Sequence, residues 1–383
     1  MLILHTSDWH VGKSLKGQSR IPDQLAALAA VVEVATAHRP DLVIIAGDLY
    51  DSSSPTADAT RIVTRALSAL RQTGADVVAI AGNHDNGPAL DALRPWAGAA
   101  GITLIGSLRS PDDLLVTGRT AGGEPWRLAA LPFVSQRYAV RATEMFELSD
   151  AEAVQTSTDH LGRLLAGLAE PFHRPDPAVN LITAHLTVVG ATVGGGEREA
   201  HTILGYAVPA TVFPSSAHYV ALGHLHRAQA MAGPCPIRYS GSPLAVDFGE
   251  VDNAASVTLV EVSEQTAARI TEVPITAGTP LRTVRGTVAE LAALEPGDAW
   301  LRVIVSEPPR AGLREQVQEL LPRALEVRID PALLPDPAAA RAATAPRAGR
   351  GPGDLFADYL TQRGHADEAT VALFHQLHDD VVR

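Results

Sequence analysis

Cysteine occurs once in the 383 residues, at Cys235, so no intramolecular disulfide framework can hold the chain and a reducing cytoplasm is expected. No apolar run approaches the roughly 18–20 residues a helix needs to cross a bilayer, which argues against a helical membrane protein. The opening Met1-Leu2-Ile3-Leu4-His5 has neither the basic region nor the long apolar stretch of a secretion signal. Lysine is almost missing: Lys13 and Lys16 are the only two, and with Arg20 they form a small basic loop just after His10. Positive charge is short overall. A net charge of −12 argues against a protein that coats nucleic acid by general electrostatics, so any DNA contact needs a local basic patch or a partner. It does not exclude a nuclease, because carboxylates gathered at a metal site add to the count and bound cations offset them.

What is present is a globular amount of apolar residue, 46%, in a chain long enough for two domains and a tail. Short apolar runs at 2–7, 42–46 and 77–81 read as buried strands, with His5 as a strand histidine. Between them Leu25, Leu28, Ala29, Val32 and Ala35 recur at helical spacing behind Pro22, and Ile62, Ala66, Ala69 and Leu70 do so near 56–73. This β-α-β-α-β order predicts parallel strands covered by helices. Further strands are expected near 102–105, 128–131, 180–184, 218–222 and 256–262, which makes a layered α/β structure with two central sheets. From about 277 the pattern changes to a small α/β module, with strands at 299–305 and 325–329 around a helix at 311–321. The Ala-, Arg-, Pro- and Gly-rich stretch 336–353 reads as a linker. After it, Leu355, Phe356, Tyr359 and Leu360 form one apolar stripe, and Val371, Phe374, Leu377 and Val381 another. Two short amphipathic helices cannot bury such faces alone; they fold back or dock on a partner.

Five motifs carry the chemistry. They are Ser7-Asp8-Trp9-His10, Gly47-Asp48-Leu49-Tyr50-Asp51, Gly82-Asn83-His84-Asp85, Ala184-His185-Leu186 and Gly223-His224-Leu225-His226, each behind an apolar run. Asp, Asn and His hold hard or borderline divalent ions through oxygen and nitrogen. Ligands of open α/β sheets collect beyond the carboxyl ends of strands, where these motifs fall. Asp8 and His10, and likewise His224 and His226, are two apart, so each pair can face one volume if the strand alternation continues. Two metals about 3.5–4 Å apart clamp the attacking and leaving oxygens of a phosphoryl displacement. The expected division gives Asp8, His10 and His226 to one ion and Asn83, His185 and His224 to the other, with Asp48 bridging. His84 is expected to contact the phosphate or protonate the leaving oxygen, with Asp85 orienting its ring. The mixed oxygen and nitrogen set suits Mn²⁺, with Fe²⁺ or Zn²⁺ as alternatives. Asp51 reads first as a turn or capping residue and otherwise as support for a ligand. Lys13, Lys16, Arg20 and Arg227 are the candidate DNA contacts.

Together the motifs resemble the calcineurin-like metallophosphoesterase superfamily. The run Leu4-His5-Thr6-Ser7-Asp8-Trp9-His10-Val11-Gly12-Lys13 is narrower and is similar to the start of the SbcD family, nuclease subunits of bacterial SbcCD complexes. Asp41 to Asp51, Ala81 to Asp85, Ala184 to Leu186, Tyr219 to His226 and Tyr239-Ser240-Gly241-Ser242-Pro243 fit the same family. The resemblance implies an α/β/β/α nuclease domain over 1–275, a capping domain over 276–335, the linker 336–353, and partner-binding helices over 354–383. It implies a Mn²⁺-dependent exonuclease and endonuclease acting on double-strand ends and hairpins in DNA repair and recombination, cytoplasmic and associated with the nucleoid. The implied partner is an SbcC-type coiled-coil ATPase, bound through Leu355, Phe356, Tyr359, Leu360, Phe374 and Leu377, with a homodimer inside a heterotetramer. It also implies that His84 is the catalytic histidine. Two other readings compete. One is a small-molecule phosphodiesterase or protein phosphatase on the same scaffold, although Ser52 after Asp51 and Asp85 after His84 depart from the protein-phosphatase signatures. The other is a non-catalytic scaffold stiffened by metals.

Overall fold

Four apolar runs become neighbouring parallel strands: Leu2–Thr6, Leu42–Ile45, Asp76–Ile80 and Ile102–Ile105. The sheet is covered on both faces, so its strands read as unbroken Val, Ile and Leu rather than as an alternation. The computed structural model describes residues 1–134, 150–197, 207–295, 297–334, 352–362 and 367–382. Beyond Leu2–Thr6 the antiparallel strands Ser256–Ser263 and Thr266–Pro274 complete a sheet of six. A second sheet of six runs Gln229–Met231, Ile237–Tyr239, Tyr219–Gly223, Val179–His185, Pro125–Leu131, Leu115–Arg119. Its four inner strands are parallel.

The sheets pack face to face. Ile3, Ile44, Val78 and Ile80 meet Leu128, Leu181, Val220 and Leu222 in one core. The alternate residues of the first sheet, Leu4, Val43, Ile45 and Val77, point the other way. There they bury Ala27, Val31 and Ala35 of helix Ile21–His38 and Ile62, Val63, Leu67 and Leu70 of helix Ala57–Gln72. Each Val or Leu sealed in this way contributes about 1.5–3 kcal/mol. Pro22 lies in the first turn of Ile21–His38, and the Thr56 side chain accepts from the Ala59 N–H to cap Ala57–Gln72. Helix Asp150–Ala169 packs on strand Pro125–Leu131 and closes the fourth layer, so the expected α/β/β/α order is found. Polar links also join the sheets, one of them through His5. His5 Nδ1 is 2.9 Å from the Tyr219 hydroxyl and Nε2 is 3.1 Å from the Leu222 carbonyl oxygen. Burial lowers the His5 pKa to about 3, so this ring is neutral.

A third sheet of Leu281–Gly286, Trp300–Val305 and Ala324–Ile329 carries helices Val288–Ala292 and Leu313–Leu320. Its first strand is not expected from the sequence, nor are Leu115–Arg119, Gln229–Met231, Ile237–Tyr239 and Thr266–Pro274. Several of these are short, or polar and half exposed, and so give little apolar pattern. The chain divides into two compact units, Met1–Val305 with Gly312–Arg328, and Ser306–Ala311 with Ile329–Arg383. In the second, helices Pro352–Gln362 and Glu368–Val382 stack through Phe356 and Phe374, ring centroids 4.3 Å apart. Leu355, Tyr359 and Leu377 stay exposed there, while Leu360 is half-buried. The expected linker lies outside the described residues up to residue 351. Among the described residues no helix is long and apolar enough to cross a membrane.

Candidate metal centre

The carboxyl ends of strands from both sheets face one pocket. Leu2–Thr6 delivers Asp8 and His10, Leu42–Ile45 delivers Asp48, and Asp76–Ile80 delivers Asn83 and His84. From the second sheet, Val179–His185 delivers its last residue, and Tyr219–Gly223 delivers His224 and His226. The pairs two apart do not converge by strand alternation. Asp8, His10, Asp48 and His224 all sit at positive φ (54°, 46°, 51° and 101°), a backbone that Asp and His tolerate better than most residues. The chain thus curls around the pocket, held by hydrogen bonds from Asp8 N to Gly47 O and from His10 N to Asp48 O, both 3.0 Å. Gly47, at φ +100°, and Gly82 leave no room for a side chain: a Cβ would strike the His185 ring in the first case and the Asp48 carboxylate in the second.

Asp48 Oδ2 is the centre of the cluster. It lies 3.6 Å from His10 Nε2 and 3.4 Å from His185 Nε2. On one side His10 Nε2 faces His226 Nε2 at 3.0 Å, with Asp8 alongside. On the other, Asn83 Oδ1 lies 2.9 Å from His185 Nε2 and 2.8 Å from His224 Nδ1. Ligand atoms of Asp8, His10 and His226 lie within 4.8 Å of one another, as do those of Asp8, Asp48 and His185, and those of His10, Asp48 and His84. His10 Nδ1 is buried and has no hydrogen-bond partner among the described residues, with Asp51 Oδ1 3.6 Å away. This sealed set of carboxylate, amide and imidazole groups is the donor chemistry of a divalent pair, and the residues fit it.

The charges are tightly coupled. Burial raises Asp8 to a pKa of about 6, against the pull of His185 and His226, and lowers His10 to about 4. Burial also opposes charge on His185 and His226, but neighbouring carboxylates outweigh it. Asp48 and Asp8 hold His185 up at about 9; Glu250, Asp8 and Glu197 hold His226 up at about 10. Burial disfavours the Asp48 charge too, yet His185 and His10 keep its carboxyl well below the usual range.

Two expectations need correction. Asp85 does not orient the His84 ring. Its carboxylate accepts backbone N–H groups of Gly82 (2.8 Å), Tyr50 (2.9 Å) and Leu49 (3.2 Å) and so ties the second motif to the third. Burial and the Asp48 charge raise it to about 7. The ring is held instead by Asp51, whose carbonyl oxygen lies 2.8 Å from His84 Nδ1. Arg20 is 1% exposed and faces inward. It pairs with Asp23 at 2.5 Å and donates to the carbonyls of Ala245 and Thr279, so its charge is used up inside the fold. Lys13 is half-buried with Nζ 3.1 Å from Asp51 Oδ1, Lys16 pairs with Glu326 at 3.2 Å, and Arg227 is exposed beside His226. Two residues of the site are not foreseen by the motifs. Glu250 Oε1 lies 2.6 Å from His226 Nδ1, and Glu197 Oε1 accepts the His226 N–H at 2.9 Å. Neither belongs to a motif, and only the folded neighbourhood exposes them.

A four-layer α/β sandwich with an Asp, Asn and His cluster at its strand ends belongs to the class of dimetal phosphoesterases. Residues 1–228 match the calcineurin-like phosphoesterase family, and residues 278–363 match the Type 5 capsule protein repressor C-terminal domain. The chain is 34% identical over 327 residues to SbcD of the nuclease SbcCD from Bacillus subtilis, covering 82% of this chain and 81% of that one. It is 32% identical over 313 residues to SbcD of the nuclease SbcCD from Escherichia coli, covering 81% and 76%. A solved dimetal phosphatase from Danio rerio overlays 72% of this chain and 97% of its own, at 12% identity and a TM-score of 0.44. The chain is a calcineurin-like phosphoesterase of the SbcD family.

Proposed function

We propose that this protein is a two-metal DNA nuclease that cuts phosphodiester bonds at double-strand ends and hairpins together with an SbcC-type ATPase. The observation that carries the reading is the convergence of seven donor side chains from five strand ends on a pocket centred on Asp48. Asp8, His10 and His226 would hold one ion and Asn83, His185 and His224 the other, with Asp48 shared. Mn²⁺ suits this mixed oxygen and nitrogen set. Such ions supply Lewis acidity, lowering the pKa of water and offsetting charge that builds on the phosphoryl oxygens.

The chain's own residues do the rest. The Asp51 carbonyl only accepts, so His84 Nδ1 carries a proton. His84 Nε2 is then the nitrogen that exchanges a proton with the leaving oxygen. Asp85 keeps the loops that carry Asp48 and Asn83 in fixed register through its three backbone hydrogen bonds. The exposed Arg227, next to His226, and Lys13, paired with Asp51, would contact a DNA backbone. Leu355, Tyr359 and Leu377 would meet the ATPase partner, and the division into nuclease, capping, linker and partner-binding segments at 275, 335 and 353 belongs to the same reading. So does a homodimer at the centre of the assembly.

The test is cleavage of linear and end-blocked duplexes with Mn²⁺, with and without the ATPase. Wild type is expected to cut. His84→Ala is expected to keep both ions and lose roughly 10²–10⁴-fold in rate. Turnover of phosphomonoesters or cyclic nucleotides without any DNA cleavage would refute the proposal.

A further inference from the structure

His226 sits in a socket built by loops outside the five motifs. Its Nδ1 lies 2.6 Å from Glu250 Oε1, and the two side chains are 2% and 1% exposed. The other oxygen of that carboxylate accepts the Val246 N–H at 2.8 Å, so Glu250 is held at both ends. The turn bearing it is anchored as well. Asp247 caps Phe248–Glu250 by accepting the Gly249 N–H at 2.9 Å, and Phe248 lies buried beneath the Arg302 guanidinium, 4.9 Å from the ring centre. From the opposite side Gly196 packs against Glu250 Oε1 so closely that a side chain there would displace the carboxylate.

We infer that Glu250 is a positioning residue for the metal pair, fixing both the tautomer and the direction of the His226 ring. Glu250 already accepts the Val246 N–H on its other oxygen, and its Oε1 lies 2.6 Å from the ring as a second acceptor, which makes His226 Nδ1 the donor. That leaves Nε2 as the coordinating nitrogen and aims it at His10 Nε2, 3.0 Å away, on the Asp8 side of the pocket. Without Glu250 the ring can turn over or adopt the other tautomer, and the ion on that side loses a ligand. The inference rests on the reading of His226 as a metal ligand. It adds a residue that no motif contains and a direction for its effect: one ion weakened, the other untouched.

The experiment is calorimetric titration of the whole protein with Mn²⁺, for wild type, Glu250→Gln and Gly196→Ala, each paired with a melting curve in EDTA. Glu250→Gln removes the carboxylate; Gly196→Ala keeps it but drives a methyl between it and His226 Nδ1, crowding both. Wild type is expected to take up two ions. Both variants are expected to bind one of them about 10–100-fold more weakly and the other within about twofold of wild type. Raising Mn²⁺ is expected to relieve the accompanying loss of DNA cleavage, which a collapsed site would not allow. Should Glu250→Gln melt early in EDTA, Glu250→Asp, whose shorter side chain draws the carboxylate back from Nδ1 without crowding the ring, decides instead. Two wild-type affinities in the variants would overturn the role of Glu250 and leave the two-metal reading standing. A wild-type protein that binds no Mn²⁺ would instead remove that reading, and the inference with it.

Discussion

Loading the pocket with metal should expel protons, and the structure says how many. His185 Nδ1 lies 2.8 Å from the Ala46 carbonyl oxygen and His226 Nδ1 lies 2.6 Å from Glu250. Each ring therefore presents Nε2 to an ion. With pKa values near 9 and 10, both imidazoles are fully protonated at pH 7, and each must give up its Nε2 proton on coordination. One proton per ion makes each affinity rise about tenfold per pH unit up to about pH 9, worth about 1.4 kcal/mol per unit. Titration with Mn²⁺ at pH 7 in buffers of different ionisation enthalpy counts the protons directly, and about two are expected for a filled site. A slope of zero would refute the charge assignment. Folding gives the converse sign. In EDTA the raised His185 and His226 pKa values favour the folded state fully below pH 6.5, and that gain fades as pH climbs through about 9–10. Asp8 and Asp85, raised to about 6 and about 7, act in the same direction at lower pH. Below pH 6.5 the lowered His5 and His10 pKa values oppose that trend, so the metal-free protein should melt at progressively lower temperature from about pH 6.5 to 9.

Three further outcomes follow from particular contacts. Gly82→Ala drives a methyl into the Asp48 carboxylate; overpacking of about 1–3 kcal/mol should weaken Mn²⁺ binding by roughly 10–100-fold, and an unchanged titration would contradict the packing. Arg20→Ala strands a buried Asp23 and two carbonyls, so urea denaturation should register a loss of about 3–5 kcal/mol. Unaltered stability with weaker DNA binding would return Arg20 to the basic surface loop. Removing residues 354–383 should abolish co-purification with the ATPase while Mn²⁺ uptake stays at wild-type level; retained co-purification would count against the docking role of Leu355, Tyr359 and Leu377.

The layered sheets are legible because parallel strands covered on both faces must be nearly all apolar, as in Leu42 to Ile45 and Val77 to Ile80. Helices Ile21–His38 and Ala57–Gln72 are legible from their periodicity and from Pro22, although the first buries Ala27, Leu28, Val31 and Ala35 and leaves Leu25 exposed; Asp150–Ala169, which makes the fourth layer, is not among the expected elements. Edge strands such as Gln229–Met231 are too short to show a period. The members of the pocket can be read in advance as a set, since each follows an apolar run, but not their approach. Nothing local announces that Asp8, His10 and Asp48 adopt a left-handed backbone, because that conformation is imposed by hydrogen bonds between loops remote in sequence. Nor does local sequence separate a surface arginine from Arg20, whose partners Ala245 and Thr279 come more than 200 residues later. Glu197 and Glu250 stay hidden for the same reason.

The polar rivet between His5 and Tyr219 bears on how this molecule can evolve. Half of the pocket hangs from one sheet and half from the other, so a slip of one slab past its neighbour would pull His10 away from His226 without touching either. A neutral imidazole pinned through the seam at both ring nitrogens resists that shear in a way that oily side chains, which slide past one another cheaply, do not. Tolerance to replacement at position 5, far beneath the reacting groups, should therefore be set by the alignment of the chemistry above it rather than by the space the ring fills.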